Sequence, residues 1–433
     1  MSGTAVPPGA PDGSGRPWSA DVVDRLSAEL GRRFGAAGLG PVPTVATLVE
    51  DDGERTRHRI LIEDEPVPLT VDVLVPTGQR PSRTVFLLPG GGLNTAADFL
   101  TPRGRGLADF LCAHGFLAIG ISPREDGLTS NSTSTGTSTG TGTDVRDWGL
   151  VRHRGDALRV VAAAQTVLPQ PYDLLGHSAG AVLALDLAAT TPTGPAPGPA
   201  PGPGPDRVIV LDTTGPYDPR AEPALAARAE DLLTACQKLL EQGVQVVDPG
   251  LKALFARAAT DPEGASPVPR PVAGPATSFS NAGLLHYALI RTSDLPGPAN
   301  WIYRQGFSGG RYLFADSPAE DRFELDHTPI GVWSAAVARL GSGLQPTALL
   351  RDLAAVWAGR EEVHRIDWSA IRAEVIWVNT GLGRGDHDHG PRLIRERAGT
   401  PVRFTVLPGY GHGDVVWSAT AEQDLWRSLL PGA

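Results

Sequence analysis

Residues 172–189 constrain this chain more than any other stretch. A short apolar segment, Tyr172–Leu175, runs into Gly176-His177-Ser178-Ala179-Gly180, and Ala181–Ala189 follows, apolar almost all round. The first segment suits a buried strand and the last a buried helix, so the pentapeptide must turn the chain from one into the other. Glycines two before and two after Ser178 remove side chains that would strike neighbouring elements in so tight a turn. A serine at the apex takes strained dihedrals, as a nucleophile in a strand–G-x-S-x-G–helix context does. The helix start behind it offers the Ala179 amide and a favourable dipole to a developing oxyanion. The plain alternative is a glycine turn capped by serine.

Strand and helix patterns alternate on both sides of this turn. Ser19–Phe34 reads as a helix with Val22, Val23, Leu26 and Leu30 on one face. Strands are expected near His58–Glu63 and at Leu69–Val75, Thr84–Leu88, Phe116–Ile121 and Val208–Leu211, with helices near Gly104–His114 and Asp147–Val167. Short, continuously apolar runs such as Thr84–Leu88 suit parallel strands covered on both faces. The alternation breaks from about Gly215 to Ser369, where helices Ala221–Gln242 and Pro346–Ala358 stand among Pro/Gly-rich loops, then resumes. Glu374–Val378 and Val402–Leu407 are strands, Pro391–Ala398 a helix and Thr420–Leu430 a closing amphipathic helix. This predicts an α/β fold: a mostly parallel central sheet with helices on both faces, built by 18–214 and 370–433. A largely helical cap, 215–369, is inserted between late strands, and residues 1–17 form a disordered tail. Of two low-complexity segments, Pro192–Pro205 falls at the end of the sheet away from the strand C-termini. Thr129–Thr143 follows a strand C-terminus and falls on the catalytic side, where it would act as a mobile gate or simply a surface loop.

With these motifs in place the chain resembles the α/β-hydrolase superfamily over about residues 55–215 and 370–433. The resemblance implies a nucleophile, an acid and a histidine in that chain order. It also implies an oxyanion hole shared between the residue after the nucleophile, Ala179, and a loop after an earlier strand. By motif that loop is Pro89-Gly90-Gly91-Gly92-Leu93, with Gly91 N–H the expected donor and Gly92 the next choice. Many relatives carry histidine where this chain has Pro89, which changes how the loop is braced but leaves its amides in place.

The base belongs in the loop after the last strand, Pro408–Asp414, where His412 lies between two glycines. The acid is expected after Glu374–Val378. Asp386, at the end of the turn Gly381–Gly385, is the first choice; Asp388, and Asp212 after the preceding strand, are the alternatives. Its role is to hold the histidine tautomer and stabilise the imidazolium. His387 and His389 flank Asp388 at a chelating spacing, but no further His or Cys at a familiar interval joins them. No metal and no cofactor is expected.

Composition narrows the function classes. A net charge of −10 without any Lys/Arg cluster argues against nucleic acid or an anionic membrane as partner. No run approaches the about 18 apolar residues needed to span a bilayer, and the first 21 residues carry no apolar signal core. Cys112 and Cys236, far apart in the chain, read as reduced and buried, which fits a cytoplasmic protein. Thirty-six of 38 basic residues are arginine, the codon bias of a GC-rich genome, in keeping with a place in secondary metabolism. Nothing here sets the oligomeric state. The expected activity is hydrolysis of an ester or thioester of a bulky, apolar acid, a small-molecule substrate enclosed by the cap. Trp301 and Tyr303 are its candidate contacts, although they, Tyr312, Phe314 and Trp333 serve equally as cap core. A lyase, acyltransferase or cyclase on the same fold is the alternative, and a non-catalytic binding protein a third.

Overall fold

The computed structural model describes residues 18–35, 40–64, 66–128, 143–190, 204–272 and 277–432. The proposed tail, most of the Ser/Thr/Gly segment and most of the Pro/Gly segment lie outside the described residues.

Nine strands form one sheet: β1 (Thr44–Asp51), β2 (Arg55–Ile62), β3 (Leu69–Pro76), β4 (Arg83–Leu88), β5 (Phe116–Ile121), β6 (Tyr172–His177), β7 (Arg207–Leu211), β8 (Glu374–Thr380) and β9 (Val402–Leu407). Their order is β1-β2-β3-β5-β4-β6-β7-β8-β9. From β5 to β9 every neighbouring pair is parallel, and β1 to β3 extend that sheet antiparallel. The mostly parallel sheet expected from the alternation is therefore present.

The apolar runs behave as doubly covered strands. Phe86 and Leu88 of β4 enter the core on one face, Val85 and Leu87 on the other. In β7 Val208 and Val210 oppose Ile209 and Leu211, and in β8 Val375 and Trp377 oppose Ile376 and Val378. One face is covered by α1 (Trp18–Phe34), α2 (Leu150–Val167) and α3 (Ala179–Thr190); the other holds Leu107 and Leu111 together with Trp417 and Leu429 near the C-terminus. Burial on both faces explains why these strands need no alternating polar residues.

Two elements depart from the sequence reading. β1 was not expected: Val45, Leu48 and Val49 are exposed on this edge strand, so its composition shows no inward-outward period, and its register shifts between Leu48 and Glu50. The closing helix Thr420–Leu430 is instead two short turns, Ala421–Asp424 and a 3-10 turn Trp426–Leu429. Leu425 (φ −138°, ψ −59°) breaks it, which lets Leu425, Trp426 and Leu429 all reach the core.

Between β7 and β8 the described residues form five further α-helices, α4 (Pro223–Glu241), α5 (Leu251–Thr260), α6 (Asn281–Ile290), α7 (Ile330–Val337) and α8 (Thr347–Ala358). Three two-stranded ribbons accompany them, for instance Gly310–Leu313 with Arg322–Leu325. The last helix, α8, packs along α4 and touches α2, anchoring the insertion to the sheet layer.

Candidate active site

The turn at Ser178 has the geometry its glycines imply. Ser178 takes φ 54° between β6 and α3, and its amide donates to Leu211 O at 2.9 Å. A Cβ on Gly176 would lie 2.1 Å from Gly180 O, and one on Gly180 2.0 Å from Leu88 O. Both glycines are therefore required by close backbone approach. Among the described residues only one other non-glycine residue has positive φ, Asp212 at 46°. Backbone strain of this kind persists where surrounding structure enforces it, typically at functional sites.

Asp212, and not Asp386, is the carboxylate that meets His412. Asp212 follows β7 directly, is fully buried, and its Oδ2 accepts from His412 Nδ1 at 2.5 Å. Its Oδ1 accepts from Thr380 N (2.6 Å), Thr380 Oγ1 (2.9 Å) and Arg384 N (3.2 Å). The first choice from sequence, Asp386, does not meet His412. Its side chain is 72% exposed and pairs with Arg304, because the turn from Gly381 to Gly385 carries it out to the surface. Asp388 is also turned away, to Arg392 at 3.1 Å. His387 binds Glu222, and His389 lies 3.5 Å from Asp218, so the loop's histidines are engaged by separate acids.

His412 hangs on a loop held by the insertion between β7 and β8. Its amide donates to Gly306 O and that of Gly413 to Phe307 O. A Cβ on Gly411 would lie 2.4 Å from Ser308 N, so the glycine before the histidine lets the two backbones touch. Ser178, with a half-buried side chain, and His412 open into one cavity of about 300 Å³. Its other walls are largely apolar, with Leu254, Leu289, Phe307, Trp333, Leu353 and Trp417 among them.

The amides near Ser178 divide into engaged and free ones. The Gly90 amide is taken by Asp98 Oδ2 at 2.8 Å and the Leu93 amide by Gly90 O at 3.0 Å. Among the described residues the Gly91, Gly92 and Ala179 amides have no protein acceptor, and all three residues line the cavity. Gln345 Nε2 donates to Gly91 O at 2.9 Å, a bond that fixes the loop from the cap side and takes the bracing part left open by Pro89.

Behind Ser178, His177 is wedged between two acceptors, Asp98 at 3.0 Å from Nδ1 and His412 O at 3.1 Å from Nε2. Both ring nitrogens must donate, which makes the ring an imidazolium. Burial opposes that charge, but Asp98 outweighs it and holds the His177 pKa above the ordinary value. Burial has the opposite result at His412: it pushes the imidazole down to about 4, against the pull of Asp212 and with help from the His177 and Arg384 charges. Asp212 is held below the usual carboxylate range; burial would raise it, but the His412 hydrogen bond and the nearby charges prevail. At neutral pH the pair is thus a neutral imidazole beside a carboxylate, the state a general base needs.

A pH expectation follows. A base works in its neutral form, so activity is lost as pH falls through the pKa of His412. For a non-ionising ester, kcat/KM should stay level through the ordinary histidine range and fall only towards about pH 4. A pH–rate profile checks this; an acid limb near 6.5 would show a solvated base.

Tyr303 lines the cavity, with its ring centroid 5.0 Å from that of His412. Trp301 lies outside the lining. It backs the wall, 6.5 Å from Trp357 and 6.1 Å from Tyr217 between ring centroids, with its indole N–H on Pro298 O. Trp333 lines the cavity, whereas Tyr312 and Phe314 pack with Phe279 and Tyr287 in a separate cap cluster. Sequence reasoning missed Asp98, Gln345 and Arg384, whose roles depend on contacts between segments distant in the chain.

The strand order, the strained turn after β6 and the acid and histidine at neighbouring strand ends define the α/β-hydrolase fold. A candidate lipase from Sulfolobus solfataricus shares it at 14% identity and TM-score 0.55, covering 89% of this chain and 97% of that one. A soluble variant of monoglyceride lipase from Saccharomyces cerevisiae aligns at 12% identity and TM-score 0.48 over 85% and 92% of the two chains. An epoxide hydrolase from Vigna radiata aligns at 14% and 0.45 over 88% and 98%. No protein-family model and no curated protein sequence matches the chain. Among the described residues no helix is long and apolar enough to cross a membrane.

Proposed function

We propose that this chain is a serine hydrolase that cleaves an ester or thioester of a largely apolar acid, with Ser178 as nucleophile, His412 as base and Asp212 as orienting acid. One observation carries the reading: a serine on a strained strand-to-helix turn and the imidazole of a buried His–Asp pair open into the same largely apolar cavity. His412 takes the Ser178 proton as Oγ attacks the carbonyl carbon, and the Ala179 and Gly91 amides, with Gly92 in reserve, receive the oxyanion. Collapse expels the alcohol or thiol, which takes the proton from His412, and leaves the acyl group on Ser178. Water then gives a proton to His412 and attacks the acyl carbon; Ser178 departs, regains its proton, and the acid is released. Both cysteines are free and buried, as a reducing, cytoplasmic setting would leave them, and burial raises the Cys112 thiol to about 12 and the Cys236 thiol to about 11, away from reactive thiolates.

A fluorophosphonate probe should label Ser178 stoichiometrically, and a panel of esters and thioesters should yield at least one consumed compound. In H₂¹⁸O the released acid should carry one labelled oxygen. Consumption without label in an acid product would favour elimination, cyclisation or acyl transfer, and no labelling of Ser178 would sink the reading.

A further inference from the structure

Of the two cations lining the cavity, Lys252 is exposed and donates to Gly341 O at 2.6 Å, whereas Arg384 is buried and takes part in no step of this mechanism. It stands in the turn after β8, only 2% exposed, and lines the cavity with Ser178 and His412. Its backbone amide is fixed on Asp212, so the residue has a defined place relative to the acid. The guanidinium carbon lies 5.0 Å from the Tyr303 ring centroid and 5.2 Å from that of Trp357. These rings hold the cation but leave two of its nitrogens unanswered: Nε and Nη1 are buried and have no acceptor among the described residues. Among the described residues no carboxylate oxygen lies within ion-pair distance of it, although buried arginines elsewhere in the molecule, such as Arg124 and Arg270, have acidic partners. Trp357, which also lines the cavity, buries an indole N–H that likewise lacks an acceptor. Among the described residues no aspartate or glutamate lines the cavity.

A buried cation without a partner, beside a second unanswered donor, is costly unless something supplies acceptors. A planar guanidinium matches a planar carboxylate through two parallel N–H···O bonds. We propose that the substrate carries a free carboxylate, received by Arg384 with help from the Trp357 indole N–H, while its ester or thioester carbonyl lies at Ser178. The proposal rests on Ser178 being the nucleophile. It narrows the substrate class to acids with an apolar chain between the scissile carbonyl and an anionic end.

The test uses p-nitrophenyl esters in matched pairs, hemi-esters of the series malonate to adipate against the neutral esters of equal chain length. The wild type should favour at least one hemi-ester over its neutral partner by at least about tenfold in kcat/KM, mostly through KM. Arg384→Gln should bring that ratio close to one, and Arg384→Lys, which keeps the charge but not the fork, should fall between. A group that only tuned the Asp212–His412 pair would lower both members of a pair equally; a shift of the acid limb is expected on either account, because the Arg384 charge also acts on His412. An equal loss on both members, or the absence of any preference in the wild type, would overturn the proposal. Binding is read without catalysis in Ser178→Ala: glutarate or adipate should raise its Tm, and Arg384→Gln in that background should abolish the rise. The two readings fail separately. Fluorophosphonate labelling of Ser178 without an anion preference sinks the carboxylate site alone. Absent labelling sinks the catalytic assignment, while the melting shift still decides whether Arg384 binds carboxylates.

Discussion

Ser178→Ala should lower kcat by about 10⁶ and abolish fluorophosphonate labelling, while the protein stays folded. Strain and chemistry separate cleanly at this position. Alanine and serine share the Cβ that makes φ 54° unfavourable, so the substitution leaves the turn as strained as before. The amide hydrogen bond from residue 178 to Leu211 is a backbone contact and survives. What disappears is the one oxygen that can bond to the substrate. The cavity and the Gly91 and Ala179 amides remain, and they should support only the residual rate that binding and oxyanion contacts provide. The measurement is kcat on whichever ester proves best, with Tm recorded alongside. An unchanged or raised Tm with lost turnover fits a nucleophile, since active-site residues are often kept at some cost to stability. A variant that retained a tenth of wild-type turnover would remove Ser178 from the mechanism.

Local patterns told more about this chain than pairwise ones did. The glycines around Ser178 are readable because a strand-to-helix turn of this kind demands them as a local pattern: a side chain at 176 would strike Gly180 O within the same turn, and the same pattern also spares Gly180 its contact with Leu88 O of β4. The parallel strands were readable because burial on both faces imposes continuous apolar runs, as in Val208–Leu211. The acid was not. Asp212 and Asp386 both follow apolar strands, and the choice depends on which strand end faces His412. β7 lies directly between β6 and β8, with Leu211 paired to His177 on one side and Val378 on the other. Asp212, one residue further on, therefore emerges beside the nucleophile's own strand, but that adjacency is a property of sheet order. The same limit hid Arg384. In sequence it is one residue of a glycine-rich turn, and only the rings of Tyr303 and Trp357, brought from the insertion, make it a buried cation facing the cavity.

Asp212→Asn should cost about 10⁴ in kcat, whereas Asp386→Asn and Asp388→Asn should each change it by no more than a few-fold. The direction of the new amide is dictated by its surroundings. Oδ1 of Asp212 accepts three donors, the Thr380 amide and hydroxyl and the Arg384 amide. In asparagine only the carbonyl oxygen can accept, so it must take that side, and the NH₂ group is left facing His412 Nδ1. Two donors cannot share that contact, which now measures 2.5 Å. His412 must then move its proton to Nε2 and present a bare Nδ1, and an imidazole protonated at Nε2 cannot accept from Ser178. The loss therefore comes from the wrong tautomer and falls on kcat, with KM little affected. A ¹⁵N spectrum of the His412 ring gives a readout that simple unfolding would not mimic: the proton should shift from Nδ1 in the wild type to Nε2 in the variant. Asp386, paired with Arg304 at the surface, has no route to that ring. A larger kcat loss in Asp386→Asn than in Asp212→Asn, or an Asp212→Asn protein whose His412 keeps its Nδ1 proton, would overturn the assignment of the acid.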